Sequence, residues 1–206
     1  MPAARRACSG AALQARQSRL RFLSPLAQLS PPLAPSTPPL QIRPYGAADW
    51  PALWALLEPV FRAGETFPHD PAISEAEAQV CWVEQSQAVL VAVDAAGALV
   101  GSYYLRPNSL ALGAHVANAG FVVAERCRRQ RIGSRLCQHS LQAARRLGFR
   151  AMQFNLVVST NTAGIQCWQR NGFQVVGILP GAFRHQRLGF VDALVMVQQL
   201  VEGPGP

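Results

Sequence analysis

Residues 126–136 are RCRRQRIGSRL, five arginines in eleven positions with Gly133 among them. A guanidinium is planar and always charged, and its paired N–H donors fit the oxygens of a phosphate or a carboxylate. The stretch is therefore equipped to hold an anion. Three uses are open to it: a nucleic-acid patch, a solvated charge run, or the mouth of a phosphate site. Two asparagines raise a different chemistry. Asn118 in VANAGFVV and Asn155 in FNLVV each interrupt an apolar run, where an amide without a partner is costly to bury. Glu65 in GETFP is the best carboxylate on a loop for accepting a proton, with His69 and His115 as alternatives. Cys8, Cys81, Cys127, Cys137 and Cys167 form no C-x-x-C pair, and no His accompanies them at ligand spacing, so no metal is expected. Without a matched His and acid, Cys127 and Cys167 are poor candidates for a nucleophile.

These residues need elements to position them. The arginine stretch follows the strand-like HVANAGFVV and precedes a helix expected from about Gly133 to Leu147, with Leu136, Cys137, Leu141, Ala144 and Leu147 inward and Gly148 as its stop. A helix start carries N–H groups without intrahelical partners and roughly half a positive charge, so a strand–turn–helix unit suits a pyrophosphate. Upstream, LQIRPY is a strand. Asp49 is the expected N-cap and Pro51 lies in the first turn of a helix over 50–63, where Trp50, Leu53, Trp54 and Leu57 recur at helical spacing. Ser74 and Glu77 form a capping box for a second helix running to about Glu84, after the polar, Pro-interrupted loop GETFPHDP. AVLVAVDAAGALVGSYYLR is a hairpin turning at Asp94–Gly97. Downstream follow a strand AMQFNLVV, a turn STN, a helix TAGIQCWQRN, a strand QVVGIL, a loop PGAFRHQRLG and a last strand FVDALVMVQQL. The order β-α-α-β-β-β-α-β-α-β-β predicts an α/β fold: one domain with a central mixed, largely antiparallel sheet flanked by helices.

The 206 residues, half of them hydrophobic, suit one domain. All nineteen basic residues are arginine, and the formal charge is +8. Residues 1–48 hold six arginines and no acid; thereafter thirteen arginines face eleven acids, leaving +2. A nearly balanced body disfavours a nucleic-acid partner, and the exclusive use of arginine reads as GC-rich coding. Residues 1–39 are expected to be a disordered, dispensable Arg/Pro-rich extension, 40–201 the domain, and 202–206 a flexible tail. No apolar run approaches the ~18 residues of a membrane helix, so no membrane partner is expected, and the cysteine usage suits the cytoplasm.

Two blocks carry a family resemblance. Arg128-Arg129-Gln130-Arg131-Ile132-Gly133, between strand and helix, resembles the Arg/Gln-x-x-Gly-x-Gly/Ala signature of the GNAT family of acetyl-CoA-dependent N-acetyltransferases, with arginine where that pattern has glycine. NTAGIQCWQRNGF follows the family's Asn-x-x-Ala-x-x-x-Tyr-x-Lys-x-Gly-Phe pattern, with Gly164 for Ala, Trp168 for Tyr and Arg170 for Lys. The resemblance covers residues 41 to about 200. LRPNSLALGAHVANAGFVV, FNLVVSTN and FVDALVM further resemble the branch containing the proline-analogue N-acetyltransferases, which act on azetidine-2-carboxylate and hydroxyproline.

The resemblance implies acetyl-CoA as acetyl donor and a small-molecule amine, an amino acid or proline-like imino acid, as acceptor, by direct transfer in a ternary complex. The alternatives are a protein or peptide N-acetyltransferase and a non-catalytic acyl-CoA-binding module of the same fold. It implies that the backbone of Phe121, Val122 and Val123 runs along the pantetheine arm. The amides of Arg129, Gln130, Arg131, Ile132, Gly133 and Ser134, beside Arg128, would bind the pyrophosphate, and Asn161 would contact the cofactor arm. Asn118 and Asn155 would bind substrate, with Glu65 the best carboxylate for the base. Trp168 replaces a tyrosine that protonates the thiolate and cannot do so, because an indole N–H is not acidic. A homodimer is left open.

Overall fold

A computed structural model describes residues 39–201. The extension expected over 1–39, Pro39 apart, and the tail expected over 202–206 lie outside the described residues. The elements follow the expected order: β1 (Leu40–Pro44), α1 (Trp50–Ala63), α2 (Glu75–Gln79), β2 (Ala88–Asp94), β3 (Leu99–Pro107), β4 (Val116–Val123), α3 (Ile132–Arg146), β5 (Ala151–Val158), α4 (Thr162–Arg170), β6 (Gln174–His185) and β7 (Gly189–Gln199). The seven strands form one sheet in the order β1-β2-β3-β4-β5-β7-β6. Every neighbouring pair is antiparallel except β4 and β5, which are parallel.

Local chemistry explains most boundaries, and three differ from expectation. The Ser74 capping box forms: Glu77 N donates to Ser74 Oγ at 3.2 Å and Ser74 N donates to Glu77 Oε2 at 2.8 Å. The helix it starts is regular only to Gln79, however, and Val80–Glu84 widen into a π turn. Trp82 in this turn is fully buried, and its indole donates to Ser102 Oγ at 3.3 Å. Asp49 does not cap α1 with its side chain. Its carboxylate instead takes two 2.7 Å bonds from Arg43 and one of 2.8 Å from Gly46 N, tying β1 to the start of α1. The loop expected over 180–189 is largely strand, for β6 runs on to His185. A bulge between Leu179 and Phe183, with Gly181 at φ 59°, absorbs the Pro180-Gly181 pair. β6 is an edge strand, where proline withholds no ladder donor that the sheet needs.

The sheet carries helices on both faces. On one, Ile132, Leu136, Leu141 and Ala144 of α3 and Ile165 and Trp168 of α4 pack over Val100, Tyr103, Leu105 and Phe154. On the other, Trp50, Leu53, Leu57 and Phe61 of α1 and the buried Ala78 and Trp82 pack over Val89, Val91, Tyr104 and Val122. Each fully buried large apolar side chain here contributes about 1.5–3 kcal/mol. Strand alternation thus gives β3 and β4 two chemically distinct faces.

The Arg43–Asp49 link makes one part of the stability pH-dependent. The hydrogen bonds from Arg43 hold the Asp49 carboxyl below its usual pKa, against the opposing effect of partial burial. A carboxylate whose pKa is depressed by folding stabilises the fold above its unfolded value, about 3.9, and loses that contribution as pH falls through the folded value. Asp49→Asn should lower the urea midpoint at pH 7, with the deficit against the parent shrinking toward zero as pH falls to about 3. A deficit constant over that range would show that the ion pair is not its source.

Candidate active site

The arginine stretch becomes a tight turn. Glu125–Cys127 make one 3-10 turn, Arg128 is extended, and Arg129 and Arg131 both take left-handed backbone, at φ 64° and 59°. The arginines that stand where the family pattern has glycine are therefore strained, since a side chain at such φ costs on the order of 1 kcal/mol. Arg131 directly precedes α3 and supplies no side-chain cap to its first-turn amides. Arg126, Arg128, Arg129, Gln130 and Arg131 are all exposed around them. Ser134 has its hydroxyl paired with Asn171, at 3.1 and 3.3 Å, which joins the start of α3 to the end of α4. Gly133 needs neither a special φ nor relief from crowding: a Cβ there would come no closer than 3.8 Å to Cys167 Sγ and 4.0 Å to Val123.

From this turn β4 leads into a fork. β4 and β5 pair only at Val116–Ala151 and Ala117–Met152. Beyond these residues the β4 edge facing β5, including Phe121, Val122 and Val123, has no strand partner among the described residues. Asn118 stands where the ladder ends, and its Nδ2 donates to Gln153 O on β5 at 2.9 Å, replacing the backbone bond that would come next. β5 bulges between Phe154 and Val157, so Asn155 sits on the irregularity. On the α3/α4 face the fork is filled by rings: Trp168 lies 4.7 Å from Phe121 and 5.3 Å from Phe154, which in turn stacks on Phe173 at 4.3 Å. Asn161 caps α4 by accepting from Gly164 N at 3.0 Å.

The α1/α2 face of the fork is polar. Arg106 on β3 and Asn118 on β4 are register partners, as are Tyr104 and Gly120. The Tyr104 ring crosses β4 at Gly120, where a Cβ would stand 2.4 Å from Cε1, and its hydroxyl approaches Asn118 Oδ1 at 3.5 Å. On β5, Gln153 Nε2 donates to Asn155 Oδ1 at 2.8 Å, and Asn155 Nδ2 donates to Asn108 Oδ1 at 2.7 Å. Four amide side chains and one arginine therefore make a floor across three strands. The α1–α2 loop roofs it. Glu65 in that loop is bound to Arg187 of the β6–β7 turn at 2.7 Å, and Gln186 N donates to Gly64 O at 3.2 Å. Thr66 Oγ1 beside it is buried without a hydrogen-bond partner among the described residues. His69 is half-buried against Phe61, with Nε2 3.9 Å from Cys81 Sγ. Burial holds the His69 imidazole below its usual pKa, and the charge of Arg106 pushes the same way.

Sequence reasoning thus places the turn and both asparagines at one fork but misses Arg106, Tyr104, Gln153 and Arg187. The alternation in SYYLRPN does put Arg106 on the face of Tyr104; which face meets the fork is not written there. His115 is exposed just before β4, bonded to Leu112 O at 3.1 Å. Cys127 is buried, and burial raises the pKa of Cys167. No group of His, Cys, Asp and Glu suited to a metal occurs among the described residues. No described helix is long and apolar enough to cross a membrane.

A cationic turn at a helix start, an open strand edge and a polar floor beyond it fit an acyl-transfer site, with a phosphate-bearing donor on one side of the fork and an amine on the other. The Acetyltransferase (GNAT) family model matches residues 50–173, and the chain belongs to that family of N-acetyltransferases. It is 31% identical over 150 residues to the N-acetyltransferase aca1 of Schizosaccharomyces pombe, spanning 64% of this chain and 71% of that one. Among solved structures, a GCN5-related N-acetyltransferase from Kribbella flavida is 43% identical at a TM-score of 0.74, covering 78% of this chain and 97% of its own. A phosphinothricin acetyltransferase from Sinorhizobium meliloti in complex with AcCoA shares the fold at a TM-score of 0.72, with 20% identity over 81% of this chain and 92% of its own.

The strained turn yields a two-sided expectation. Arg131→Gly relieves the left-handed backbone, a gain offset in part by the freedom glycine adds to the unfolded chain. It should raise stability by up to about 1 kcal/mol while weakening acetyl-CoA binding severalfold in calorimetry, with a smaller loss at high salt. Unchanged or tighter binding would show that the arginine is tolerated rather than used.

Proposed function

We propose that this acetyltransferase takes acetyl-CoA as donor and the amine of a small molecule, an amino acid or proline-like imino acid, as acceptor, in one direct step. The fork carries the reading. The anion-holding turn lies along one approach to it, and the floor of Arg106, Asn118, Gln153 and Asn155 on the other. The S. meliloti neighbour holds AcCoA in the same fold, which supports the donor.

Acetyl-CoA supplies the activated carbonyl. Amides of residues 129–134 and the arginine side chains hold its pyrophosphate, and Phe121–Val123 present their unpaired edge to the pantetheine. One such amide donates to the thioester oxygen as negative charge develops there, an interaction worth roughly 3 kcal/mol where comparable donors have been removed. The amine nitrogen attacks the carbonyl carbon, the C–S bond breaks, the amine loses a proton, and the thiolate gains one from water. Trp168 packs against the acyl region and moves no proton. Among the described cysteines, burial raises the pKa of Cys81, Cys137 and Cys167, which argues against an acyl-cysteine route.

His69 is our choice for the base. Glu65 is committed to Arg187 and serves to hold the α1–α2 loop to the β6–β7 turn. His69, half-buried and with its pKa pushed down, is neutral at pH 7 and able to accept a proton; it loses that capacity as pH falls below its folded value, under about 6.5. The native pH profile of kcat/KM should therefore fall on the acid side. His69→Asn should lower kcat by about 10²–10⁴ and remove that limb; retention of the limb would place the base elsewhere.

Release of CoA thiol by the full chain, assayed against amino acids, proline analogues, polyamines and peptides, tests the whole reading, and no release with any of them refutes it. Asn155→Ala should lower kcat/KM for the acceptor at least about tenfold, the scale of a lost hydrogen bond to a charged group, with acetyl-CoA affinity unchanged. Loss of acetyl-CoA affinity instead would move Asn155 to the donor side.

A further inference from the structure

Arg106 narrows the acceptor. It is half-buried, and its guanidinium carbon lies 4.8 Å over the Tyr104 ring while Nη2 donates to the Tyr104 hydroxyl at 3.4 Å. Arg43, Arg62, Arg128 and Arg187 are each paired with an acid; among the described residues no carboxylate pairs with Arg106. A partly desolvated charge with no counter-ion is costly unless something supplies one. The neighbours cannot, because the floor around it consists of the amides of Asn118, Gln153, Asn155 and Asn108. Of the two acids in the α1–α2 loop, Glu65 is taken by Arg187, and Asp70 accepts from Ala72 N within its own turn. The charge is nonetheless fixed in place by the Tyr104 ring, itself locked over Gly120.

We infer that Arg106 is the anchor for a carboxylate on the acceptor, so that the enzyme acts on free α-amino or α-imino acids. The inference rests on the acetyl-transfer reading and deepens it. In such a molecule a single carbon separates the carboxylate from the reacting nitrogen. An acid gripped at Arg106 therefore brings its nitrogen to the level of Asn118, the register partner of Arg106, where the fork opens and the unpaired edge of β4 begins. Asn118 keeps its Nδ2 on Gln153 O and offers Oδ1 to the incoming N–H. A peptide N-terminus has an amide where this acid stands, and a polyamine has no acid, so both leave the charge of Arg106 unanswered.

The test compares each accepted amino acid with its own amide, for instance proline with prolinamide, in CoA-release assays of the full chain. The amide's amine is less basic and so more often neutral. Intrinsic reactivity then favours the amide, and a preference for the acid has to come from binding. The native enzyme should prefer the acid by about 10- to 100-fold in kcat/KM, mostly through KM, the scale of a charge-assisted bidentate contact. Arg106→Gln should erase that preference by raising KM for the acid far more than KM for the amide, and Arg106→Lys should restore part of it. Melting temperature and acetyl-CoA affinity serve as controls for folding. Equal use of acid and amide by the native enzyme overturns the inference without any variant, as does an Arg106→Gln loss that is the same for both. CoA release from amines that lack an acid as efficient as that from amino acids would sink this inference alone; no release from any amine sinks the acetyl-transfer reading and this inference with it.

Discussion

The structure depends on two parallel strands that stop pairing. After Ala117 and Met152, β4 and β5 remain neighbours without a ladder, and a buried backbone group left without a partner costs about 1–3 kcal/mol. The fold meets this in two ways. Where the ladder ends, Asn118 lends β5 a side-chain donor. Further along, the bulge in β5 turns the strand aside and the Trp168, Phe121 and Phe154 rings fill one side of the gap. What is left is an edge of backbone donors and acceptors on β4, which a linear molecule with its own amides can satisfy as a strand would. The opening is thus less a cavity than a place for an additional strand.

The same economy governs the turn beside it. Two arginines stand in left-handed backbone, which glycine would adopt without strain. The start of α3 takes no side-chain cap from Arg131, and Gly133 needs no special φ. Neither feature improves the isolated protein, and both become favourable when a phosphate lies against them.

Much of this was legible in the sequence, because local signals and long-range packing agree there. Apolar periodicity specified seven strands and four helices in their order, and the position of RCRRQRIGSRL between a strand and a helix identified the turn. The failures share one cause. Pro180-Gly181 looks like a loop until β7 supplies a ladder on one side and leaves the other edge free, and Asp49 looks like a cap until Arg43 competes for it. Glu65 looks like a free base because nothing near it in sequence announces Arg187. Arg106 looks like an ordinary charge at a strand end, and only the closure of three strands around it shows that no carboxylate partner reaches it among the described residues.

That missing partner also bears on the chemistry. In a free amino acid the carboxylate stabilises the neighbouring ammonium, and only the neutral amine can attack a thioester. If Arg106 grips the carboxylate, that stabilisation is withdrawn and the amine is more readily deprotonated, in the direction in which the same charge already pushes His69. Recognition of the acceptor and activation of its nitrogen are then one electrostatic event. The anchor must accordingly lie beside the fork, as Arg106 does across the ladder from Asn118, and not at the remote arginine turn proposed for the donor.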